Sequence, residues 1–533
     1  METSAKNSDK SVVIIGGGHN GLVAACYLAK AGLKVIILEA NPDVGGASVS
    51  QQVFPEYEAR LSRYSYLVAL LPDQIVSDLG INFKTLGRSV ASFTPTKRGD
   101  QDLGLLVNTD LGGDTKEHFA KISGGESEFK AWQDFYSDVA KLADAIAPTM
   151  LQKLPTRSEL RSKVNHPIWD EIMERPLGEV LEKRFSDDLV RGVVLTDGLI
   201  GTFSDAHDLQ SNICFLYHLI GNGSGEWKVP YGGMGALIKE LTKLALENGA
   251  TIKTNSKVSK VVKNGEKFTV EVSGTSGSSG STSSSVSSSE KVTYESDFVL
   301  ANCAPQVLAD IAGISKPESL DGSQIKINML LEKLPRLKSG IDPKVAFAGT
   351  FHIDETYSDL QSAYAQSKAG KIPDRIPAEV YCHTLTDTSI LAPDLVARGM
   401  HTLTLFGIHL PASLFDKDEA SAKAEVKRKL LSQINEYLLD PIEECLAKNS
   451  DGSLCIEVKS PLELEKEISL PRGNIFHKDL AMPFREDGTP ATWGVETSIP
   501  NLFICGAGAI RGGGVSGIPG HNAAAAVLEV INS

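Results

Sequence analysis

Three glycines near the start of the chain, Gly16-x-Gly18-x-x-Gly21, have a spacing that suits phosphate binding. An apolar strand, Ser11 to Ile15, precedes them, and apolar residues at helical spacing follow. Glycines in this order allow a tight turn, the approach of a pyrophosphate to the backbone, and close packing of helix on strand. The helix N-terminus adds free N–H groups and partial positive charge. The pattern predicts a dinucleotide site.

An acidic residue completes the pattern. Glu39 follows a second predicted strand, Lys34 to Leu38, and lies 18 residues after Gly21, close to the usual spacing of about 20. Its carboxylate would accept hydrogen bonds from a ribose diol. A purely structural glycine turn is the alternative, but strand, helix and acid together favour a nucleotide.

A second glycine pair directly after Glu39 favours FAD over NAD, because the bent pyrophosphate of a buried flavin needs more backbone contact. This choice rests on family pattern as well as on physics. The N-terminal residues expected to bind FAD are Gly16, Gly18, His19, Asn20, Gly21, Glu39, Ala40, Gly45, Gly46 and Ala47.

The C-terminal stretch repeats the glycine spacing as Gly512-x-Gly514-x-x-Gly517. It follows a predicted strand, Leu502 to Cys505, but no acid-terminated strand comes after it, so we predict no separate NAD site. Its backbone could lie against a planar ring, and the closing helix would direct its N-terminus at a reduced flavin; a structural glycine loop is the alternative. The cofactor-binding residues expected here are Gly506, Gly508, Gly514, Val515, Gly517 and Ile518.

The order of these blocks predicts the fold class: α/β, with a Rossmann-like FAD-binding domain of the two-dinucleotide-binding type and an inserted α+β substrate domain. We expect residues 1–85, 229–305 and 471–533 to form the FAD-binding domain, and 86–228 and 306–470 the substrate domain. The first insertion is expected to be helical, and Thr251 to Val262 to be one strand. The Ser/Gly-rich residues 273–289 are expected to form a flexible loop.

Net charge, hydropathy and cysteine spacing argue against several classes of function. The net charge of -14 argues against nucleic acid as a partner, although a local patch could still contact a membrane surface peripherally. No apolar run approaches the roughly 18 residues of a spanning helix. The polar N-terminus predicts a cytoplasmic protein. None of the seven cysteines forms a C-x-x-C pair, and the histidines lack metal-binding spacing. We therefore predict buried free thiols, no dithiol chemistry and no metal.

Five stretches in order along the chain carry a resemblance: Val13 to Leu28, Leu61 to Leu71, Tyr231 to Leu237, Leu470 to His477, and Phe503 to Ala525. Together they resemble the phytoene desaturase-like branch of the FAD-dependent amine oxidase and desaturase superfamily. The first and last motifs are superfamily-wide, and the middle three are more specific to the branch. The resemblance implies FAD, a large substrate domain, and desaturation, oxidation or isomerisation of an apolar ligand. It also makes the mitochondrial matrix the alternative location.

The resemblance also implies roles for single residues. Arg63, Tyr64 and Ser65 would lie beside the flavin, Val258 would meet the adenine, and Ala301 would close over the pyrophosphate. His477 is the candidate proton shuttle, with a structural histidine as the alternative. Tyr231 and Arg511 are expected near the inner end of an apolar pocket that holds a lipophilic small molecule.

Two competing hypotheses remain open. The first is a non-catalytic binding protein for a lipophilic or prenylated partner, because Rab GDP-dissociation inhibitors share this architecture without using flavin. The intact C-terminal glycine loop argues against it. The second is a two-nucleotide disulfide reductase, disfavoured by the missing dithiol. The sequence leaves substrate, electron acceptor and oligomeric state open.

Overall fold

A five-stranded parallel sheet forms the centre of the nucleotide-binding part of the computed structural model, which describes residues 9–221, 226–273 and 292–533. Its strands stand in the order Leu502–Ile504, Phe298–Ala301, Ser11–Ile15, Lys34–Leu38 and Thr251–Lys253. Ile15 pairs with both Leu38 and Ala301. The carboxyl ends of these strands therefore meet at one edge, which brings the first glycine turn and Glu39 together. The predicted fold class is confirmed.

Five helices surround this sheet: His19–Lys30, Asp73–Leu79, Gly235–Glu247, Pro305–Ala312 and Ile518–Asn532. The first helix packs tightly on the glycine turn, since a Cβ on Gly21 would meet the carbonyl oxygen of Gly16 at 2.5 Å. This contact is why the third glycine of the motif tolerates no side chain.

The stretch predicted as one strand from Thr251 to Val262 is two strands, Thr251–Lys253 and Val258–Asn264, in different sheets. Asn255 interrupts it with a φ of 51° and donates its N–H to the carbonyl oxygen of Asn41. The second strand joins an antiparallel sheet with Lys267–Val272 and Val292–Ser296. The predicted flexible loop, apart from Ser273, lies outside the described residues.

A seven-stranded sheet forms the second large unit. Its strands stand in the order Ile456–Lys459, Ile325–Leu331, His401–Gly407, Ala378–Tyr381, Thr350–Ile353, Val90–Arg98 and Gln101–Asn108. The prediction that residues 86–228 are helical is therefore partly wrong: the last two strands form a hairpin whose apolar side chains, such as Phe93 and Leu105, are buried. Two short ribbons, Ser50–Gln52 with Arg60–Ser62 and Thr85–Leu86 with Val229–Pro230, complete the strands.

The remaining α-helices belong mainly to the two inserted stretches. They are Thr115–Ser123, Ser127–Ile146, Arg157–Val164, Ile168–Glu174, Leu177–Arg184, Asp188–Thr196, Leu209–Ile220, Pro343–Ala346, Tyr357–Lys368, Pro393–Ala397, Glu419–Asn435, Ile442–Cys445 and Pro461–Ile468. The helices of the first insertion share one apolar core, in which Trp169, Phe135 and Phe215 are fully buried. The domain limits given above remain a prediction.

All seven cysteines are free, and all except the half-buried Cys303 are buried. In the part of the chain that the structure describes, no helix has the length and hydropathy needed to cross a bilayer.

Candidate functional site

A cavity of about 680 Å³ lies between the five-stranded and seven-stranded sheets. One end is lined by the first glycine turn and by Glu39. The other end is lined by polar side chains of the seven-stranded sheet, including His352 and Glu379. Apolar side chains line the space between, so one continuous cavity joins two chemically different ends.

The backbone forms most of the first end. The N–H of Gly45 donates to the carbonyl oxygen of Gly17 at 2.9 Å, which ties the second glycine pair to the first turn. Gly18 begins the first helix with no side-chain cap, and the first helical turn has no acidic residue. Its N–H groups and the positive end of the helix dipole therefore suit a pyrophosphate.

Glu39 is 8% exposed at this end of the cavity. One carboxylate oxygen accepts the N–H of Gly17 at 2.7 Å, and the other accepts the N–H of Asn41 at 2.8 Å. Each oxygen keeps acceptor capacity. The carboxylate is thus held in place and can still bind a ribose diol.

Three buried polar atoms near the glycine loops have no hydrogen-bond partner: His19 Nε2, Asn20 Oδ1 and His477 Nδ1. Burial lowers the pKa of His19 and of His477 to about 4, and the charge of His19 contributes to the shift at His477. Both imidazoles are neutral at neutral pH. Orphaned polar atoms in a cavity whose glycines leave room for a ligand fit a bound dinucleotide, so these residues suit FAD.

Most of the predicted N-terminal residues line this end, as do Val258 and the C-terminal pair Gly514 and Val515. Tyr64 and Ser65 line the cavity as well. Ser65 donates its hydroxyl to the carbonyl oxygen of Ala47 at 2.7 Å. The structure thus brings these predicted residues together around one space.

Several predicted cofactor residues lie outside the cavity lining: Gly21, Ala301, Gly506, Gly508, Gly517 and Ile518. A Cβ on Gly506 would meet the carbonyl oxygen of Asn302 at 2.8 Å, and one on Gly508 would meet Pro305. Gly517 faces Val23 of the first helix. The small size of these glycines serves close packing behind the site, and Ile518 is buried in the helical core, which corrects the prediction of direct contact.

Arg63 does not face the cavity. Its guanidinium forms an ion pair with Glu457 and donates to Gln51 Oε1 at 2.8 Å. The predicted place beside the flavin is therefore wrong for this side chain, because two polar partners hold it elsewhere.

Two of the three candidate catalytic residues also lie elsewhere. Arg511 is 1% exposed, and its guanidinium donates to the carbonyl oxygens of Met150, Gln152 and Pro483. Burial lowers its pKa to about 10. Tyr231 is 49% exposed and outside the cavity lining. Only His477 of the three lines the cavity.

A buried lysine in the cavity wall was not predicted from the sequence. Lys326 donates its Nζ to the carbonyl oxygen of Tyr64 at 2.5 Å and lies 4.1 Å from the ring centroid of Tyr66. Burial holds the pKa of Lys326 well below its usual range. Its signal in the sequence was a charged residue inside Ile325–Leu331, a strand buried at every position.

The far end carries a group of buried acids that sequence reasoning also missed. Burial, followed by the charge of Glu355, raises the pKa of Glu379 to about 8. Burial also raises the pKa of Asp197. Although burial alone would lower the pKa of His352, the adjacent Glu355 carboxylate raises it. Charge and proton binding at this end depend on tertiary neighbours.

Some side chains of helix Leu209–Ile220 pack in the apolar core, and others line the cavity. Cys214, Phe215 and Leu216 are fully buried in the helical core, whereas Tyr217, His218 and Leu219 line the cavity. Near the flavin side, Tyr66, Leu67 and Leu70 line it too.

Residues 21–320 match the family of flavin-containing amine oxidoreductases. A protein of Mycobacterium bovis is 40% identical, with 99% of each chain covered. Pyridine nucleotide-disulfide oxidoreductase domain-containing protein 2 of Mus musculus is 29% identical, covering 97% of this chain and 93% of the relative. Carotenoid 3,4-desaturase of Haloarcula japonica is 26% identical over 50% of this chain and 53% of its own.

The fold also has solved neighbours. Wild-type putrescine oxidase bound to putrescine superposes with a TM-score of 0.56 at 17% identity, covering 98% of this chain and 99% of that chain. At this identity the likeness concerns the fold.

Proposed function

Because the chain belongs to the family of flavin-containing amine oxidoreductases, we propose that its FAD-dependent reaction acts on an elongated, largely apolar ligand. The protein is an FAD-dependent oxidoreductase. The proposed reaction is desaturation, oxidation or isomerisation of that ligand at the point where the cavity meets the cofactor loops.

The apolar middle of the cavity carries this proposal. Its walls there include Leu70, Trp132, Val193, Ile200, Leu219 and Phe406. Burying apolar ligand surface against such walls stabilises a complex by about 25 cal/mol per Å² of apolar area, before the costs of association. A small polar molecule would bury little such area. The name of the carotenoid desaturase relative describes a substrate of this apolar kind.

Residues of this chain have separate roles in the proposal. Bound FAD supplies the two-electron acceptor. The first helix N-terminus and Glu39 hold the pyrophosphate and ribose. Lys326, whose lowered pKa favours a neutral amine, can accept a proton at Nζ. His477 Nδ1 has no hydrogen-bond partner in the protein and is free to bond with the ligand or the cofactor.

The test is anaerobic flavin reduction in a stopped-flow instrument. The purified protein should be yellow and release FAD on denaturation. Lipophilic candidates such as polyenes, quinols and prenyl alcohols should bleach the flavin absorbance, whereas small polar amines and soluble dithiols should leave it unchanged. Bleaching by a small amine or a dithiol, with every lipophilic candidate inert, would overturn the proposed substrate class.

A binding-only protein gives a different result in the same assay. Lipophilic molecules would then bind, as seen by quenching of Trp132 or flavin fluorescence, without bleaching the flavin at any concentration.

A further inference from the structure

A histidine and two glutamates converge where the seven-stranded sheet forms the wall of the cavity. His352 and Glu379 lie directly opposite each other on the paired strands Thr350–Ile353 and Ala378–Tyr381. Glu355 follows three residues after His352. One ligand atom from each residue lies within 4.8 Å of the others. The exposures of His352, Glu355 and Glu379 are 5%, 1% and 3%, so bulk water does not solvate these groups.

The cluster contains more acidic than basic groups. Asp197 adds another carboxylate on the cavity wall. The nearest arginine, Arg88, donates to the carbonyl oxygen of Trp227 and to Thr350 Oγ1, not to these acids. Among the described residues, the imidazole of His352 contacts Glu355, and the hydroxyl of Tyr381 donates to Glu379. Buried carboxylates without enough positive charge are unfavourable unless a proton or cation joins them.

Glu355 provides a second, independent observation. Its Oε2 accepts from Thr196 Oγ1 at 3.0 Å and contacts His352 Nδ1. Its Oε1 is buried and has no hydrogen-bond partner. A buried carboxylate oxygen with no hydrogen-bond donor requires an explanation, and a bound cation is one.

We propose that this cluster binds one divalent transition-metal cation through His352 Nδ1 and the carboxylates of Glu355 and Glu379. One imidazole and two carboxylates suit Mn²⁺, Fe²⁺ or Zn²⁺. Ligand bonds of about 2.0–2.2 Å require donor atoms within about 4.4 Å of one another, which small side-chain adjustments from the present spacing provide. The cation would balance the excess carboxylate charge.

The site opens towards the cavity. His352 and Glu379 both line it, and so does Asp197. The remaining coordination positions therefore face the ligand, where a hydroxyl or carbonyl oxygen would bind. The metal site does not depend on the proposed reaction, but an oxygen-bearing end on an otherwise apolar ligand would connect the two.

The experiment uses the full-length, FAD-loaded protein purified without chelators. Metal content is measured by inductively coupled plasma mass spectrometry, and Mn²⁺ binding to metal-stripped protein by electron paramagnetic resonance titration, with Zn²⁺ as competitor. We expect one saturable site per chain. Glu355→Gln and Glu379→Gln keep the side-chain shape while removing charge, and each should weaken Mn²⁺ binding about tenfold or more.

His383→Gln is the matched control. His383 also pairs with a buried carboxylate, that of Asp387, at 3.1 Å, but outside the proposed ligand set, so this variant should keep wild-type Mn²⁺ affinity. The flavin spectrum and thermal midpoint report folding independently of metal. If a glutamine variant does not fold, the wild-type stoichiometry decides.

Wild-type protein with bound flavin but neither stoichiometric metal nor saturable Mn²⁺ binding would overturn the metal site. Folded glutamine variants with unchanged Mn²⁺ affinity would do the same. Absence of flavin would count against the cofactor assignment instead, so the two failures are distinguishable.

Discussion

The two ends of the cavity recognise ligands by different means. At the nucleotide end, a glycine turn, an uncapped helix and one acid act mainly through backbone groups that are close in sequence. On the wall formed by the seven-stranded sheet, charged side chains from Lys326, His352 and Glu379 come from three different strands, with Lys326 beside Tyr64 and Tyr66. Backbone recognition depends on local conformation, whereas a charged cluster depends on which strands pair. Substitutions should therefore separate flavin binding at one end from ligand chemistry at the other.

The largest effect is expected from Gly18→Val. A Cβ at this position would meet Asn302 Nδ2 at 2.9 Å and occupy the space in front of the helix N-terminus. Flavin affinity should fall more than about a hundredfold, equivalent to about 3 kcal/mol. The measurement is FAD titration of the apoprotein followed by fluorescence. Gly125→Val is the control, because nothing lies within 4 Å of its Cβ. Equal FAD affinity in the two variants would show that the pyrophosphate binds elsewhere.

Glu39→Ala should have the next largest effect. It removes the acceptor for the ribose and for the N–H groups of Gly17 and Asn41. Losing a hydrogen bond to a charged group costs about 1.5–3 kcal/mol, or roughly tenfold to a hundredfold in FAD affinity. Isothermal titration of the apoprotein measures it. Glu39→Gln, which keeps one acceptor oxygen, should fall between wild type and Glu39→Ala, and an unchanged affinity in both would remove the ribose role.

His477→Asn tests the burial of a neutral imidazole beside the nucleotide end, through the pH dependence of the free energy of unfolding. The folded pKa is about 4 and the ordinary value is 6.5. Above pH 6.5 both states are neutral. As the pH falls from 6.5 to 4, the unfolded chain takes up the proton first, so wild type loses about 3 kcal/mol of unfolding free energy.

The asparagine variant lacks this contribution and should show a shallower loss of stability between pH 6.5 and pH 4 in urea denaturation. Asn tolerates the positive φ of 66° at this position. His207→Asn, at a surface histidine, is the control. Equal slopes in wild type and His477→Asn would mean that His477 is not buried as a neutral imidazole.

The smallest effect on flavin is expected from Lys326→Met, on the seven-stranded sheet. Burial lowers the folded pKa of Lys326, so the unfolded chain holds a proton that the folded chain has released. Stability of the wild type should therefore rise with pH, from the folded pKa up to the ordinary value of 10.5. Lys326→Met should flatten that rise while FAD content stays stoichiometric. Lys260→Met, at an exposed lysine, is the control. Loss of FAD in Lys326→Met but not in Lys260→Met would contradict the expectation that Lys326 acts on the ligand rather than in FAD binding.

The local pattern of apolar residues and glycines was sufficient to predict much of the fold. Strands Ser11–Ile15 and Lys34–Leu38 agree with their predicted limits, because each is a short run of β-branched and apolar residues beside a glycine signal. The hairpin Val90–Arg98 with Gln101–Asn108 was missed. Val90–Arg98 gains stability from pairing with Thr350–Ile353, and both strands gain it from the core beneath them; neither contribution is visible in the local sequence.

In the candidate site as well, residues recognised by local pattern were predicted, and residues that depend on distant contacts were not. Gly16, Gly18 and Glu39 were identified because their spacing along one strand–turn–helix–strand unit is visible in the sequence. Arg511 was misplaced because a sequence does not show which carbonyl groups surround a guanidinium. The expectation of no metal considered only spacing along the chain, which does not register the cross-strand pairing of His352 with Glu379.

By itself, the sequence determined the nucleotide-binding turn, since that turn depends on backbone conformations that a few neighbouring residues impose. The order of the blocks along the chain and their family pattern predicted the fold class and FAD as cofactor. Only the tertiary structure decided which glycines line the cavity and which pack against other residues, which groups surround Arg63 and Arg511, and that buried acids gather on the seven-stranded sheet. Burial and long-range charge set those properties, and both arise only when distant strands are brought together.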